Sequence, residues 1–410
     1  MTPAKTLSIA LILLLGQNAT AQQADEAKPK VKFGGFIEWQ TLYDTYRSLD
    51  TRDGDFYYYP LAKTTDRNGK DINQKSQLEM LALHSRLFAK FDGVEAFGAK
   101  ASGMIEADFF GTSQANVRML RMRHAYMQLQ WEKSALILGN TWHPIILPET
   151  TPATIAFGAA VPFHTLNRSP QIRFTYNVGA IKLLGAALIN GYHRSVGPYD
   201  AQRYSGKPEL VAQIQGGDPA SFFWGASAGY KWLTPRLITD SLYKTDKTVG
   251  SYLFHLFARL KTEPITIKYE AVYGENLSHL NMIGGYGKTT GTGIVDNDYD
   301  YSNLITLSTW IDFEKKIDKY TVGLFAGYSQ NMGSSEKYTA IKDYTRNGDL
   351  SYIYRISPRI TTTSGPITIG VEYLYNAAVY GTKFNGKGKP TETATATVNH
   401  RMILSARYTF

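Results

Sequence analysis

From Lys32 to the last residue the chain alternates between stretches in which apolar and polar side chains take turns and breaks rich in Gly, Pro, Asn and Asp. A period of two marks a strand whose faces meet different surroundings. The pattern predicts strands near 33–46, 78–91, 98–109, 117–130, 134–142, 171–176, 181–191, 208–215, 221–232, 251–261, 265–276, 302–314, 320–331, 350–363, 367–380 and 396–410, sixteen in all. The breaks alternate too. Short turns at 92–97, 132–133, 177–180, 216–220, 262–264, 315–319 and 364–366 are interleaved with longer loops at 47–77, 110–116, 143–170, 192–207, 233–250, 277–301, 332–349 and 381–395. Seven turns among eight loops, with an even strand count, describe an antiparallel meander whose ends lie on one side. The expected fold is all-β, a 16-stranded antiparallel transmembrane β-barrel with short periplasmic turns and long extracellular loops over 32–410. An exported β-sandwich would supply many strands without separating all short turns from all long loops.

The parity of each strand assigns its faces. Ile367, Ile369, Val371, Tyr373 and Tyr375 oppose Thr368, Gly370, Glu372 and Asn376; Leu350, Tyr352, Tyr354, Ile356 and Ile360 oppose Ser351, Arg355, Ser357 and Arg359. The last strand sets Met402, Leu404, Ala406, Tyr408 and Phe410 against Asn399, Arg401, Ser405 and Arg407. A soluble sandwich would show the same parity. Aromatic residues near strand ends (Tyr320, Tyr328, Tyr373, Tyr375, Tyr408), strands of spanning length and the terminal Phe410 favour a membrane barrel. The segment LRMRHAYMQLQ is less regular, as expected where a subunit interface relaxes the demand for a lipid-facing side.

With the polar parity inward, the lumen holds Arg86, Lys100, Arg121, Arg123, Arg173, Lys182, Arg259, Lys268, Arg355, Arg359, Arg401 and Arg407. Against these twelve cations stand five acids, Glu106, Asp108, Glu270, Asp312 and Glu372. Charge beside a low-dielectric wall focuses its field along a water-filled channel, so the excess favours anions. The bland alternative is that these groups merely solvate the lumen and pair with one another.

Sixteen strands leave an aqueous channel unless something narrows it. The segment 143–170 is the candidate. Pro144, Pro148, Pro152, Pro162 and Pro170 bar a central strand or a long helix, yet the segment is rich in Ile, Leu, Ala and Phe. A long apolar loop needs cover, which points to a constriction loop folded into the barrel, with His143, Glu149, His164 and Arg168 facing the arginine wall. The alternative is an external loop packed on a neighbouring subunit.

Composition sharpens the compartment. Residues 1–21 combine Lys5, the apolar run LSIALILLLG and Ala19-Thr20-Ala21, the pattern of a secretory signal peptide. Residues 22–31 read as a disordered lead-in. No later segment approaches eighteen consecutive apolar residues, and there is no cysteine, which excludes disulfides and thiolate chemistry. The net charge of +9 carries no basic run, so it points to anionic solutes or lipids rather than nucleic acid.

Chemical motifs are few. Gly225-Ala226-Ser227-Ala228-Gly229 matches the hydrolase elbow in letters only, because it lies inside a strand with no helix after it. Asp296, Asn297, Asp298 and Asp300 crowd an outer loop that could hold calcium, but without EF-hand spacing, and a solvated acidic loop is the better reading. Asn276-Leu277-Ser278 matches a glycosylation sequon. The eight histidines show no metal-ligand spacing, and no nucleophile has an evident base nearby, so neither a cofactor nor catalysis is expected.

DFFG (108–111), LRMRHAY (120–126), LGNTWHP (138–144) and RSPQIRFTY (168–176), in this order and spacing, resemble the DcaP-like outer-membrane porins. The resemblance implies a trimeric sixteen-stranded porin with a constriction loop after the fifth strand, passing small, often negatively charged solutes such as organic acids. It places Arg121, Arg123, Arg168 and Arg173 near the constriction. The family often precedes the barrel with a longer helical, coiled-coil-like segment, whereas QQADEAKPKV is short. The expected function is therefore passive, anion-favouring diffusion through a Gram-negative outer membrane, with lipid, lipopolysaccharide and small anions as partners. The competing reading is a surface adhesin or glycan-binding barrel acting through its loops, which a plugged lumen would favour.

Overall fold

The computed structural model describes residues 28–189, 191–289, 294–337 and 343–410. The signal peptide and most of the lead-in lie outside them. The wall strands are β1 (Lys30–Asp44), β2 (Gln77–Leu81 continued by Arg86–Ala96), β3 (Ala99–Asp108), β4 (Arg121–Gln130), β5 (Ser134–Trp142), β6 (Arg168–Val178), β7 (Ile181–Leu188), β8 (Glu209–Gly217), β9 (Phe222–Leu233), β10 (Val249–Lys261), β11 (Ile265–Glu275), β12 (Tyr301–Ile317), β13 (Tyr320–Ser334), β14 (Leu350–Ser364), β15 (Ile367–Phe384) and β16 (Thr397–Thr409). Each pairs antiparallel with the next, and β1 pairs with β16 from Phe36↔Thr409 to Asp44↔Arg401, closing the barrel. The backbones of Gly35 and Phe410 exchange both hydrogen bonds at the seam. Closure leaves no ladder edge, the condition for a sheet in lipid.

The expected faces are those found. Ile356, Ile360, Ile367, Ile369, Met402, Leu404 and Tyr408 are exposed outward, while Arg355, Ser357, Arg359, Glu372, Asn399 and Arg401 are buried inward. Tyr328, Tyr352, Tyr354 and Tyr375 form a chain of rings at the loop end, with centroids 5.7 to 6.5 Å apart. Tyr408 and Phe410 mark the turn end. These are the two girdles of a membrane barrel.

Several expectations need correction. The strand expected over 171–176 begins at Arg168, so the inserted loop is 143–167 rather than 143–170. The strand expected over 117–130 begins at Arg121, and the first strand starts at Lys30, inside the expected lead-in. The second strand breaks at 82–85, turning Leu81 and Leu83 into the lumen and His84 onto Glu38. The irregularity of LRMRHAYMQLQ is a bulge: the register shifts between Glu106 and Ala107, so Arg121, Arg123 and His124 all point inward. It therefore carries no argument for a subunit interface. A second shift after Leu350 buries that residue, which simple parity sends to lipid.

Loop 1 (45–76), expected as polar and external, also enters the barrel. Its hairpin, Ser48–Thr51 paired with Phe56–Pro60, buries the whole run Phe56-Tyr57-Tyr58-Tyr59. There it meets loop 3 (143–167) and the inward apolar residues Trp310, Phe325, Ile353, Leu374 and Ile403 in one continuous core. One side of the lumen is thus filled like the interior of a soluble domain.

Candidate functional site

Loop 3 crosses the lumen without regular structure, so its backbone N–H groups need partners. The wall supplies them. Asp312 accepts from Ala153 N–H at 2.9 Å, Glu372 from Ile155 and Ala156 N–H at 2.5 and 2.7 Å, and Glu270 from Thr165 N–H at 3.3 Å. Gln213 and Lys268 donate to the carbonyls of Pro144 and Thr151. Three of the five acids set against the lumen arginines therefore hold the loop. At its turn Gly158, Ala159 and Ala160 all have positive φ, a conformation that alanine resists and that docking sustains.

At the border of this core, charged groups gather around Trp142. Arg123 and Arg168 lie over its ring at 5.6 and 4.5 Å, and Arg173 donates to its carbonyl. Asp108 receives Arg121 through two hydrogen bonds and Arg123 through one; Glu106 also binds Arg123 and lies 3.6 Å from Arg86. Glu38 binds Arg407 at 2.7 Å and His84 at 2.7 Å. Between them runs a cavity of about 190 Å³ lined by Arg86, Arg123, Arg168, Arg407, His84, Trp142 and Phe157. Phe157 stacks on Phe110 at 4.0 Å and gives this eyelet its apolar side.

Arg168 differs from its neighbours. It is 3% exposed, yet among the described residues no acid or hydrogen-bond acceptor meets its guanidinium, and its Nε is unpaired. Its contacts are the faces of Trp142 and Tyr192. Cation–π contact supports the charge without neutralising it. His193, on the loop behind, is held neutral: burial lowers its pKa first, then Arg121 and Arg168.

The other expected pore residues fall into two sets. Arg359 is bidentate to Asp312 (2.6 and 3.0 Å) and Arg401 to Asp44 (2.8 and 2.8 Å), with Arg401 also reaching Gly54 O of loop 1. Arg355 donates to Asn376 and lies beneath the rings of Tyr57 and Phe163. These three clamp the loops. Arg259 and Lys268 face each other across β10 and β11, and Lys100 is exposed on β3 next to the turn end.

Of the four constriction residues, Arg168 and His164 line the cavity bordered by the arginine cluster, Arg168 from β6 rather than from the loop. His143 bonds Glu209 at 3.1 Å and His164 bonds Glu270 at 2.7 Å. Glu149 lines a cavity at the turn end with Lys182. The expected count also missed buried inward groups of both signs, the acids Glu38, Asp44 and Glu209 and the cations Arg168 and Lys231. Strand parity carried that signal: Glu38, Gln40 and Asp44 share a face of β1. Loop 1 gave no such signal.

The remaining motifs resolve as packing. Ser227 does meet a base: its Oγ is 3.2 Å from His255 Nδ1, whose Nε2 is 3.7 Å from Glu270. That corrects the expectation of no nucleophile–base pair. All three are buried beneath loop 3, Glu270 is engaged by His164, and a substrate has no room to approach. His143, Glu209 and His279 also converge, which the histidine spacing did not disclose. Both Nε2 atoms face Glu209 Oε1, at 3.1 and 3.3 Å, so one buried carboxylate is shared by two buried imidazoles. In loop 6 (276–300), Asp298 accepts from Thr245 and Asp300 binds Lys247, so these acids tie two loops together. The sequon residues Asn276 and Ser278 are fully buried.

No family model and no curated protein matches the chain. Solved structures do. The outer membrane channel DcaP of Acinetobacter baumannii superposes with a TM-score of 0.66 at 19% identity, over 93% of this chain and 98% of that one. An anion-selective porin from Comamonas acidovorans gives 0.57 at 10% identity, over 93% and 100%. OmpT of Vibrio cholerae, an outer membrane protein folded in vitro in its trimer form, gives 0.54 at 10% identity over the same shares. At these identities the likeness is one of fold. The chain has the fold of the barrel seen in the DcaP channel and in other outer-membrane porins.

Proposed function

We propose that the protein is a passive diffusion channel whose eyelet favours small anions such as organic acids, assembled as a homotrimer. The observation that carries the selectivity is Arg168, a buried guanidinium that no acid among the described residues binds, lining the cavity between loop 3 and the β2–β6 wall. An anion entering the eyelet sheds part of its hydration and gains charge-assisted N–H contacts. Because Arg86, Arg123 and Arg407 already have acids, they add field without deep binding. Conduction needs this balance, since a solute held too tightly does not leave. Trp142 and Phe157 give the path apolar surface beside its arginines.

OmpT of Vibrio cholerae, solved in a trimer form, shares this fold and supports the assembly state proposed here. The filled half of the lumen is what a barrel acting only through its loops would show, and it keeps an adhesin as the second reading. The discriminating experiment is single-channel recording of the purified protein in a planar bilayer under a salt gradient. A channel gives discrete openings and a reversal potential on the anion side. Absence of conductance sinks the channel, and a cation-side potential sinks the assignment of the eyelet.

A further inference from the structure

The outer face of β6–β10 carries a trough beneath a basic rim. We propose that trough and rim together bind a phosphorylated glycolipid of the outer leaflet bearing several acyl chains, of the lipid A type. The trough follows from register. Phe174, Gly185, Ala212, Ala228 and Phe254 are consecutive cross-strand partners on the lipid side. Two phenylalanines therefore stand at the edges of a floor made of one glycine and two alanines. Four strand spacings separate those edges, about 19 Å. Neighbouring lipid-facing rows carry branched or aromatic side chains that hold acyl chains apart. Here they are missing, and the hollow reaches about 600 Å³. A floor this wide suits several saturated chains lying side by side and leaves a two-chain phospholipid only partly packed.

The same strands lead up to the rim. Ile189 and Pro208 lie two residues, about 7 Å, beyond Ala187 and Leu210 of the trough, on the loop side that faces the outer leaflet. They line a second cavity of about 550 Å³ with loop 4 (189–208). Its charged groups are Arg194, Arg203 and Lys207 against Asp200 alone. Arg203 is 79% exposed and 4.0 Å from Asp200, and Lys207 lies over the Trp232 ring. Trp232 in turn packs on Tyr230 at 4.7 Å. Such a pair marks the depth at which headgroups begin. A phosphate held between Arg203 and Lys207 would leave its chains descending into the trough.

Native mass spectrometry of the full chain in detergent tests this, with bisphosphorylated hexa-acyl lipid A, its dephosphorylated form and phosphatidylglycerol as probes and inorganic phosphate as competitor. The wild type should retain lipid A in preference to both other lipids. The Arg203→Glu/Lys207→Glu variant and, separately, Ala212→Phe should each weaken that retention at least about tenfold. Heat-modifiable gel mobility shows that the variants fold, and Ala228→Leu replaces Ala212→Phe if that barrel does not form. Equal retention of phosphatidylglycerol would reduce the trough to ordinary lipid contact and overturn the proposal. So would displacement by inorganic phosphate with no effect of filling the trough, which would leave only a free-anion rim. None of these readouts depends on the eyelet being a channel.

Discussion

The two sides of the lumen use the same residue type in opposite ways. Along β12–β16, Arg359 and Arg401 are each locked to one carboxylate by paired hydrogen bonds, and Arg355 is sealed under aromatic rings. Along β2–β6 and at the end of β16, Arg86, Arg123 and Arg407 border an open cavity, and no acid among the described residues binds Arg168. The first set secures two inserted loops. The second leaves field for a solute. Counting inward cations therefore says little about selectivity; what decides is which cation the fold leaves unneutralised.

The largest effect should come from removing what divides the lumen. Replacing 146–165 with a short Gly/Ser linker should raise single-channel conductance several-fold, since the eyelet then has only one wall. Unchanged conductance would place the restriction elsewhere, in loop 1.

Next in size is the stability of the clamped side. Asp312→Ala strands the buried Arg359 and the Ala153 N–H, and should cost about 3–5 kcal/mol in urea unfolding of the detergent-solubilised barrel. Arg168→Gln breaks no ion pair and should stay within about 1 kcal/mol of wild type. If both variants lost similar stability, the distinction between clamp and free guanidinium would fail.

A smaller effect concerns loop 1. Asp55 is buried with neither carboxylate oxygen partnered, and burial, then Glu38, raises its pKa from the ordinary 3.8 to about 7. The docked hairpin thus holds a proton that the undocked one releases. Docking should be tightest at acid pH, weaken as pH climbs from about 4 to about 7, and level off above. Relative to the intrinsic base-catalysed rise of amide exchange, residues 48–60 should lose protection over that range, and Asp55→Asn should flatten the protection profile. Protection that grows with rising pH would reverse the sign. Smaller still, Phe157→Ala should widen the eyelet and raise conductance by less than about twofold, because Phe110 remains behind it.

Most of the wall was legible because a membrane barrel writes its faces with a strict period, and all sixteen strands followed from it. What escaped has a physical cause in each case. The bulges near Glu106 and Leu350 each add or shift one residue, which parity does not reveal. The burial of Tyr57, Tyr58 and Tyr59 depends on partners such as Asn281 and Tyr380, more than two hundred residues away in the chain, that no local pattern marks. The inward acids of β1 were visible but uncounted. Arg168 was placed near the constriction, whereas its isolation is a matter of three-dimensional neighbours.

The most direct test compares the reversal potentials of wild type and Arg168→Gln under a tenfold KCl gradient, with Lys100→Gln as the control from an exposed site. The wild type should reverse on the anion side, Arg168→Gln should move clearly toward zero or beyond, and Lys100→Gln should move little. An Arg168→Gln channel that keeps wild-type selectivity would contradict the claim that the guanidinium at the eyelet sets it.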